Sequence, residues 1–165
     1  MILGIGVDLV DVERIDRAIE RHGEHFLHRV FTKNEIAYCA GMRAPGPHYA
    51  ARFAAKEAVS KAFGTGIGER LGFQEIEVCR EASGAPYIVL RGPAGEFARE
   101  RGVQKIHLAL SHTATHAVAQ VVIEGADVNS GGSQGSDKGE LNAGSEDRLV
   151  NGGKSAHVPP LGTEH

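Results

Sequence analysis

The sequence predicts a mixed α/β fold of the α+β type, in which a small antiparallel β-sheet packs with helices, one of them a long central helix. The N-terminal ILGIGVDLV alternates between two faces, as a strand does. RFAAKEAVSKAF has the broad apolar arc of a packed helix. Two later pairs of strand-like segments are each joined by a short turn, which is typical of antiparallel pairing.

The composition divides the chain into one folded domain and a tail. A chain of 165 residues can form the core of one domain but is too short for two domains that each have a full core. From residue 125 onward the sequence is rich in glycine and serine and has no aromatic residue. We therefore predict a folded domain at 1–124 and a disordered tail at 125–165.

Several classes of protein are disfavoured by the composition. The net charge of −3 gives no support for nucleic-acid binding. No apolar run approaches the length of a membrane span, and the N-terminal stretch has no basic leader and reaches Asp8 early, unlike a signal peptide. Cys39 and Cys79 lie in no C-x-x-C pair, so we expect free thiols and a cytoplasmic protein.

The N-terminal strand has one apolar face and one face on which glycines allow another group to approach the backbone closely. Its apolar face consists of Leu3, Ile5, Val7 and Leu9. On the other face Gly4 and Gly6 precede Asp8, which leaves room above the sheet for another backbone or a ligand. Asp11 directly precedes a helix and can cap it. Asp8 is then left without a structural role and is a candidate functional residue.

The first helix is predicted over residues 12–22, with Gly23 as its end. Arg14, Arg17 and Arg21 follow each other at helical spacing on the face opposite the apolar stripe. Such a stripe is either solvated surface or a docking face for an acidic partner. A second helix follows Thr32, and Glu35 completes a capping box there, which makes Glu35 structural rather than catalytic.

The second half of the domain is predicted to contain four strands and one helix. QEIEVCRE and APYIVLRG form a hairpin around Ser83 and Gly84, and PAGEFARERG is a short helix. IHLALSHT and HAVAQVVIE are two more strands joined by a tight turn. The last strand is apolar on both faces, which a partner subunit could cover.

The central helix carries charges at both edges of its apolar arc. Glu57 and Lys61 are i, i+4 neighbours at one edge, and Lys56 and Ser60 lie at the other. Taken alone, Glu57 and Lys61 could simply form a surface salt bridge worth a few tenths of a kcal/mol.

The residues that follow this helix favour a functional interpretation. Gly64 and Gly66 allow backbone N–H groups to approach an anion, and Lys61 supplies positive charge beside them. A carboxylate, a lysine and a glycine loop together indicate a site for phosphate and Mg²⁺, a metal that takes carboxylate and phosphate oxygens. Asp8 is the natural second carboxylate.

Four segments of the chain resemble one family. GIGVDLVDVERI, FTKNEI, RFAAKEAVSKAFGTGIG and LSHTATHAVAQVVIE are similar, in the same order, to the holo-[acyl-carrier-protein] synthases, the small bacterial 4′-phosphopantetheinyl transferases. The resemblance implies their fold and their reaction. That reaction transfers the phosphopantetheine arm of coenzyme A to a serine of apo acyl carrier protein, depends on Mg²⁺, releases adenosine 3′,5′-bisphosphate, and serves fatty-acid or polyketide biosynthesis.

The resemblance also implies roles for individual residues. The catalytic residues would be Asp8, Glu57 and Lys61, with Asp8 and Glu57 as the metal ligands. The coenzyme A contacts would be Arg52, Lys61, Gly64, Gly66, His112 and Thr113. The general base for the carrier serine is left unassigned.

The expected partners follow from the same resemblance. Arg14, Arg17 and Arg21 would bind the acidic carrier protein, and the family forms homotrimers with active sites between subunits. Two alternatives are a module that binds coenzyme A or an acidic partner without turnover, and a different Mg-nucleotide transferase. The presence of Asp8, Glu57 and Lys61 disfavours the first, and the absence of a Walker motif disfavours the second.

Overall fold

The structure is a computed structural model, and it describes residues 1–126. Its helices are α1 (Val12–Val30), α2 (Lys33–Ala40), α3 (Pro45–Phe63) and α4 (Gly92–Glu100). Its strands are β1 (Ile2–Asp11), β2 (Ile76–Arg80), β3 (Pro86–Leu90), β4 (Val103–His112) and β5 (His116–Gly125), and a short 3-10 turn, Phe73–Glu75, precedes β2. The predicted tail, 125–165, lies outside the described residues except at its first two positions.

The strands form two antiparallel sheets within residues 1–126. The larger sheet has the order β1-β5-β4, and the smaller one is the β2-β3 hairpin. Gly84 turns that hairpin in the left-handed conformation, with φ 88° and its N–H donated to the carbonyl of Glu81. These sheets and the long α3 confirm the predicted α+β fold.

Helix α3 lies directly on β1, backbone against backbone. A Cβ atom at Gly4 would stand 2.0 Å from the carbonyl oxygen of Ala62, and one at Gly6 would stand 1.9 Å from that of Ala58. Only glycine permits this approach, because no real Cβ makes contacts so short. The space above the predicted strand is therefore filled by another backbone, and the buried alanines of α3 make the contact flat on the helix side.

On its other side α3 is held by a buried ion pair. The Lys56 Nζ lies 2.7 Å from the Glu35 carboxylate, and both side chains are fully buried. Lys56 also donates to the carbonyls of Val30 and Phe73, at 2.9 and 2.7 Å. A buried pair is tolerated only when its remaining hydrogen-bonding capacity is used in this way. Lys56 was expected at the edge of the apolar arc, and it is instead inside the core.

Glu35 has the structural role that the sequence predicted. Its carboxylate accepts the N–H of Thr32 at 2.8 Å, and its own N–H is donated to the Thr32 hydroxyl, which completes the capping box of α2. The second carboxylate oxygen accepts the N–H of Val78 at 2.8 Å. One side chain thereby joins α2, α3 and β2.

The helical conformation of α1 is interrupted at Gly23, where the first helix was predicted to end, since this residue has φ 53° and ψ −135°. A second helical segment, which was not predicted, then continues the element to Val30. The reason is tertiary: Phe26 and Leu27 pack against the core and Val30 is buried in it. The helix α3 begins at Pro45, ahead of the RFAAKEAVSKAF segment from which it was predicted, because proline fits the first turn of a helix.

The outer face of the larger sheet is apolar and open in the single chain. Ile5, Val7 and Leu9 are 60%, 57% and 66% exposed, and they lie beside the half-buried Val118 and Val122 of β5. Val118 and Val122 make β5 apolar on its outer face as well, as predicted, with the exposed Gln120 between them, and only the inner face of β5 is covered by α3. Exposed apolar side chains grouped in this way are typical of a protein interface.

We expect Gly6→Ala to destabilise the domain by about 1–3 kcal/mol or more, because the new methyl group would push α3 away from β1. The free energy of unfolding measured by urea denaturation checks this. Gly68→Ala is the matched control, since Gly68 lies in a loop where an added Cβ would meet nothing within 4 Å. Equal stability of the two variants would contradict the close contact.

Candidate active site

The contact between β1 and α3 places a lysine on an aspartate. The Lys61 Nζ lies 2.7 Å from the Asp8 carboxylate and 3.2 Å from the carbonyl oxygen of Val7. Asp8 follows the two close-packed glycines on the same face of β1, and Lys61 stands in the last turn of α3. The Asp8 side chain is 14% exposed and that of Lys61 is 51% exposed, so solvent reaches the pair from the lysine side.

Glu57 stands one turn before Lys61 and belongs to the same cluster. Burial raises the pKa of the Glu57 carboxyl, and the negative charge of Asp8 raises it further, while Lys61 and Arg14 oppose the shift. Two carboxylates and two cations therefore interact at this point. The structure brings together Asp8, Glu57 and Lys61, the three residues singled out in the sequence, and adds Arg14 of α1 to them.

The chemistry of this cluster fits a divalent cation. Asp8 and Glu57 repel each other, and Mg²⁺ prefers carboxylate oxygens. The ammonium group of Lys61 is paired with the Asp8 carboxylate, so a metal ion would compete with Lys61 for this carboxylate. Across residues 1–126 no group of three or more His, Cys, Asp or Glu side chains is arranged for a metal. A metal held by Asp8 and Glu57 would thus take its other ligands from water or substrate.

The glycine loop ends α3 in the way its residues require. Gly64 and Gly66 have φ values of 74° and 71°, which L side chains rarely adopt. The N–H of Gly64 is donated to the carbonyl of Lys61 at 3.0 Å, and the N–H of Thr65 to that of Ser60 at 3.2 Å. These two N–H groups cap the helix. Donation from the loop to a phosphate stays a prediction, and Gly64 would have to give up its capping bond to take part.

Arg52 and His112 lie in a second cluster, away from the first. Arg52 is 2% exposed, and its guanidinium lies 4.0 Å from the centre of the Tyr38 ring. It donates to the carbonyl of His48 at 3.3 Å, while its Nε is buried without a hydrogen-bond partner. His112 is exposed at the end of β4, with its ring centroid 5.0 Å from that of His48.

Two members of this second cluster were missed in the sequence. His48 lies between Arg52 and His112, and burial lowers its pKa, as do the charges of His112, Arg52 and Arg80. The Arg80 guanidinium lies 5.3 Å from the centre of the same Tyr38 ring. His48 precedes Arg52 by four residues. A helix predicted to begin at Pro45 would therefore have placed the two side chains on one face, and this spacing is the signal that could have revealed His48.

Thr113 has a structural contact in the turn between β4 and β5. Its hydroxyl accepts the N–H groups of Thr115 and His116, at 3.2 and 3.1 Å. These bonds shape the tight turn that follows His112. A contact of Thr113 with coenzyme A stays a prediction.

The arginine stripe of α1 is on the surface. Arg14, Arg17 and Arg21 are all exposed, and Arg17 forms an ion pair with Glu13. Asp11 accepts the N–H of Glu13 at 2.9 Å, which confirms it as the helix cap. Since Arg14 also lowers the pKa of Glu57, the stripe begins at the carboxylate cluster.

Among the helices of residues 1–126, none has the length and apolar character of a membrane span.

Comparison with known proteins identifies related sequences and solved structures. The family model of the 4′-phosphopantetheinyl transferase superfamily matches residues 4–121. The holo-[acyl-carrier-protein] synthase of Ruminiclostridium cellulolyticum is 52% identical over 121 residues, 72% of this chain and 90% of that protein. The crystal structure of holo-[acyl-carrier-protein] synthase from Neisseria meningitidis has a TM-score of 0.71 and 35% identity, covering 75% of this chain and 99% of that one.

A second solved structure is that of a holo-(acyl-carrier-protein) synthase from Bacillus anthracis in complex with CoA (3′,5′-ADP). It has a TM-score of 0.64 and 37% identity, and the match covers 76% of this chain and 99% of that one. The fold and these matches define an enzyme of the phosphopantetheine-transferring class. The chain belongs to the holo-[acyl-carrier-protein] synthase family of the 4′-phosphopantetheinyl transferase superfamily.

We expect Glu57→Gln to be as stable as the unaltered protein, or more stable, at pH 7 without metal. A raised pKa means that the folded protein binds this proton more tightly than the unfolded chain does. The stability that this provides is present below the unfolded pKa of about 4.3 and is lost as pH rises through the folded pKa. The glutamine variant cannot ionise and escapes that loss.

Urea denaturation in EDTA at pH 4 and pH 7 measures the effect. Glu100→Gln is the control, because Glu100 is an exposed carboxylate paired with Arg70. If Glu57→Gln is clearly less stable than the unaltered protein at pH 7, the ionised carboxylate stabilises the fold and the upward shift of its pKa is wrong.

Proposed function

We propose that this protein transfers the 4′-phosphopantetheine arm of coenzyme A to a serine of an apo acyl carrier protein, in a Mg²⁺-dependent reaction that releases adenosine 3′,5′-bisphosphate. The observation that carries the proposal is the cluster of Asp8, Glu57 and Lys61, held together by the backbone contact of β1 and α3. Membership of the enzyme family supplies the substrate class. The reaction would serve fatty-acid biosynthesis. Service of polyketide carrier proteins is tested by the mass-spectrometric assay described below.

Lys61 has an accessible positive charge that a phosphate can approach. Its side chain is half exposed, and its ammonium group is bonded to Asp8 and the Val7 carbonyl. A phosphate oxygen arriving from the exposed side can accept a hydrogen bond from the same group, which has three donors. In a displacement at the β-phosphorus of coenzyme A, the oxygen of the carrier serine would form a bond to phosphorus while the bond to the leaving adenosine 3′,5′-bisphosphate breaks. The serine proton would pass to a base that is left unassigned, and Lys61 would stabilise the charge that develops on the leaving phosphate.

Asp8 and Glu57 would hold the metal in this reaction. When bound, Mg²⁺ supplies positive charge to the pyrophosphate oxygens of the substrate. The two carboxylates would hold it between them, because the close backbone contact sets the strand of Asp8 against the helix of Glu57. Release of Lys61 from Asp8 would then couple metal binding to phosphate binding by Lys61.

The partners follow from the two exposed surfaces. The stripe of Arg14, Arg17 and Arg21 is complementary to the acidic surface of a carrier protein, and it begins beside Glu57. The open apolar face of the larger sheet would be covered by further copies of the chain in a homotrimer. We propose a cytoplasmic location, which the free thiols of Cys39 and Cys79 support.

Intact-mass spectrometry of an apo acyl carrier protein incubated with this protein, coenzyme A and Mg²⁺ tests the reaction. We expect a mass gain of one phosphopantetheine that disappears in EDTA. Asp8→Asn and Glu57→Gln should each slow the gain by about a hundredfold or more, the loss typical of removing one electrostatic stabiliser. Glu100→Gln should retain the full rate.

Two outcomes would reject parts of this proposal. A folded protein that modifies none of several apo carrier proteins would favour a module that binds coenzyme A without turnover. A mass gain that persists in EDTA would reject the dependence on Mg²⁺ and the metal-ligand roles of Asp8 and Glu57.

For the docking face, we expect Arg21→Glu to raise the KM for the carrier protein about tenfold, with little change in the KM for coenzyme A, because like charges would face each other across the interface. Steady-state kinetics with each substrate varied in turn measures this. Arg21 is preferable to Arg14, whose charge also acts on Glu57. Arg70→Glu is the control, and an equal rise in both KM values for Arg21→Glu would contradict docking at α1.

A further inference from the structure

We propose that segment 140–150 of this chain, ELNAGSEDRLV, binds the exposed face of α1 that carries the arginine stripe, and thereby competes with an acidic carrier protein for that face. The inference rests on the proposed function, because it assigns a second, intramolecular occupant to the proposed docking face. The segment lies outside the described residues, so its sequence and its charge identify it.

The receiving face of α1 is cationic. At about 100° per residue, Arg14, Arg17 and Arg21 fall on one arc of the helix, and all three are exposed. The acids of the same turns lie on a separate arc: Glu13, Asp16 and Glu20. Arg17 is paired with Glu13, whereas Arg21 forms no ion pair with any carboxylate of residues 1–126. Positive charge on this face is therefore available to an acidic ligand.

An apolar pocket of about 520 Å³ adjoins the arginine stripe. Its walls include the half-buried rings of Phe26, Phe53 and Phe73, from α1, α3 and the 3-10 turn. Ala18 and His22 line both this pocket and a neighbouring one of about 310 Å³, which is lined by the three arginines. The cations and the apolar pocket thus form one continuous surface. Such a surface fits a ligand that carries both carboxylates and aliphatic side chains.

The negative charge of the chain is concentrated beyond the described residues. Residues 1–126 contain fifteen Lys and Arg and fifteen Asp and Glu, so their formal charges cancel. Residues 127–165 contain three Lys and Arg and six Asp and Glu, and they therefore carry the whole net charge of −3. An acidic ligand for the arginine stripe is thus covalently attached to the same protein.

Segment 140–150 is the part of this region that matches both halves of the surface. Glu146 and Asp147 are the only adjacent acids in residues 127–165, and Leu149 and Val150 follow them closely. Glu140 with its neighbouring leucine repeats the combination at the start of the segment. The carboxylates are complementary to the arginines, and the aliphatic side chains are complementary to the pocket between the three phenylalanines.

The distance between the two partners is within the reach of the chain. Gly125 exchanges hydrogen bonds with Met1 at the start of β1, and α1 follows the other end of that strand. The ten residues of β1 span roughly 33 Å at about 3.3 Å each. Residues 127–146 can span up to about 66 Å when extended. A tethered ligand has an effective concentration on the order of 1 mM, so even a weak contact competes with the carrier protein.

Steady-state kinetics of the full chain tests this competition. We expect the double variant Glu146→Lys, Asp147→Lys to lower the KM for the carrier protein about threefold, the effect of removing a tethered ligand whose Kd is about half its effective concentration. The KM for coenzyme A should not change. The matched control is Asp127→Lys with Asp137→Lys, which alters the net charge equally but leaves segment 140–150 intact.

A binding measurement tests the contact without turnover. The probe is a fluorescent peptide of residues 139–151, titrated with the full chain that carries Glu146→Lys and Asp147→Lys, so that its own segment does not compete. We expect Arg21→Glu in that protein to weaken peptide binding about tenfold, and Arg70→Glu, on another part of the surface, to leave it unchanged. Replacing Leu149 and Val150 of the peptide by serine should weaken binding as well, because the pocket is apolar.

Three results would overturn the inference. If the two double variants have the same KM for the carrier protein, only net charge matters and the segment has no specific contact. If Arg21→Glu leaves peptide binding unchanged, the segment binds elsewhere. If the difference in KM grows with enzyme concentration, the segment occupies the face of another molecule. Failure of the transfer reaction is distinguishable, because a protein that modifies no carrier protein but binds the peptide through Arg21 still supports the contact.

Discussion

The contact of α3 with β1 at backbone distance is the constraint on which the rest of the structure depends. Gly4 and Gly6 have no side chain, so the carbonyls of Ala58 and Ala62 rest against the strand itself. At that separation Lys61 reaches Asp8, and Glu57 lies close enough to Asp8 for their charges to interact. Larger residues at the two glycines would lift the helix and separate these groups. The packing that stabilises the fold and the geometry of the site are therefore one feature.

The adjacent residues Lys56 and Glu57 show how one helix both packs in the core and positions the candidate site. Successive side chains of a helix are turned by about 100°. Lys56 points into the core and pairs with Glu35, whereas Glu57 points toward β1 and remains partly accessible. The buried pair ties α3 to α2 and to β2, and this contact fixes the rotation of the helix about its axis. With the rotation fixed, the site residues of α3 have a defined direction.

The clusters at the two ends of α3 differ in their charged groups. Around Asp8 and Glu57 the two carboxylates face Lys61 and Arg14, and carboxylate oxygens are the ligands that a divalent cation prefers. Around His48 the charged neighbours are Arg52, Arg80 and His112, and the Nε of Arg52 is buried without a hydrogen-bond partner. The exposed apolar face of β1 and β5 lies on the opposite side of the sheet from α3.

Local patterns in the sequence determined the elements and the first candidate cluster. The alternation of β1, the capping box at Thr32 and Glu35, and the glycines beside Asp8 depend on near neighbours, so they can be predicted from sequence alone. The burial of Lys56, the continuation of α1 beyond Gly23 and the contact of His48 with His112 were decided by tertiary structure. Each of these depends on a partner far along the chain, Glu35, the core around Val30 or β4. Periodicity shows which residues share a face, but only the folded chain shows what that face packs against.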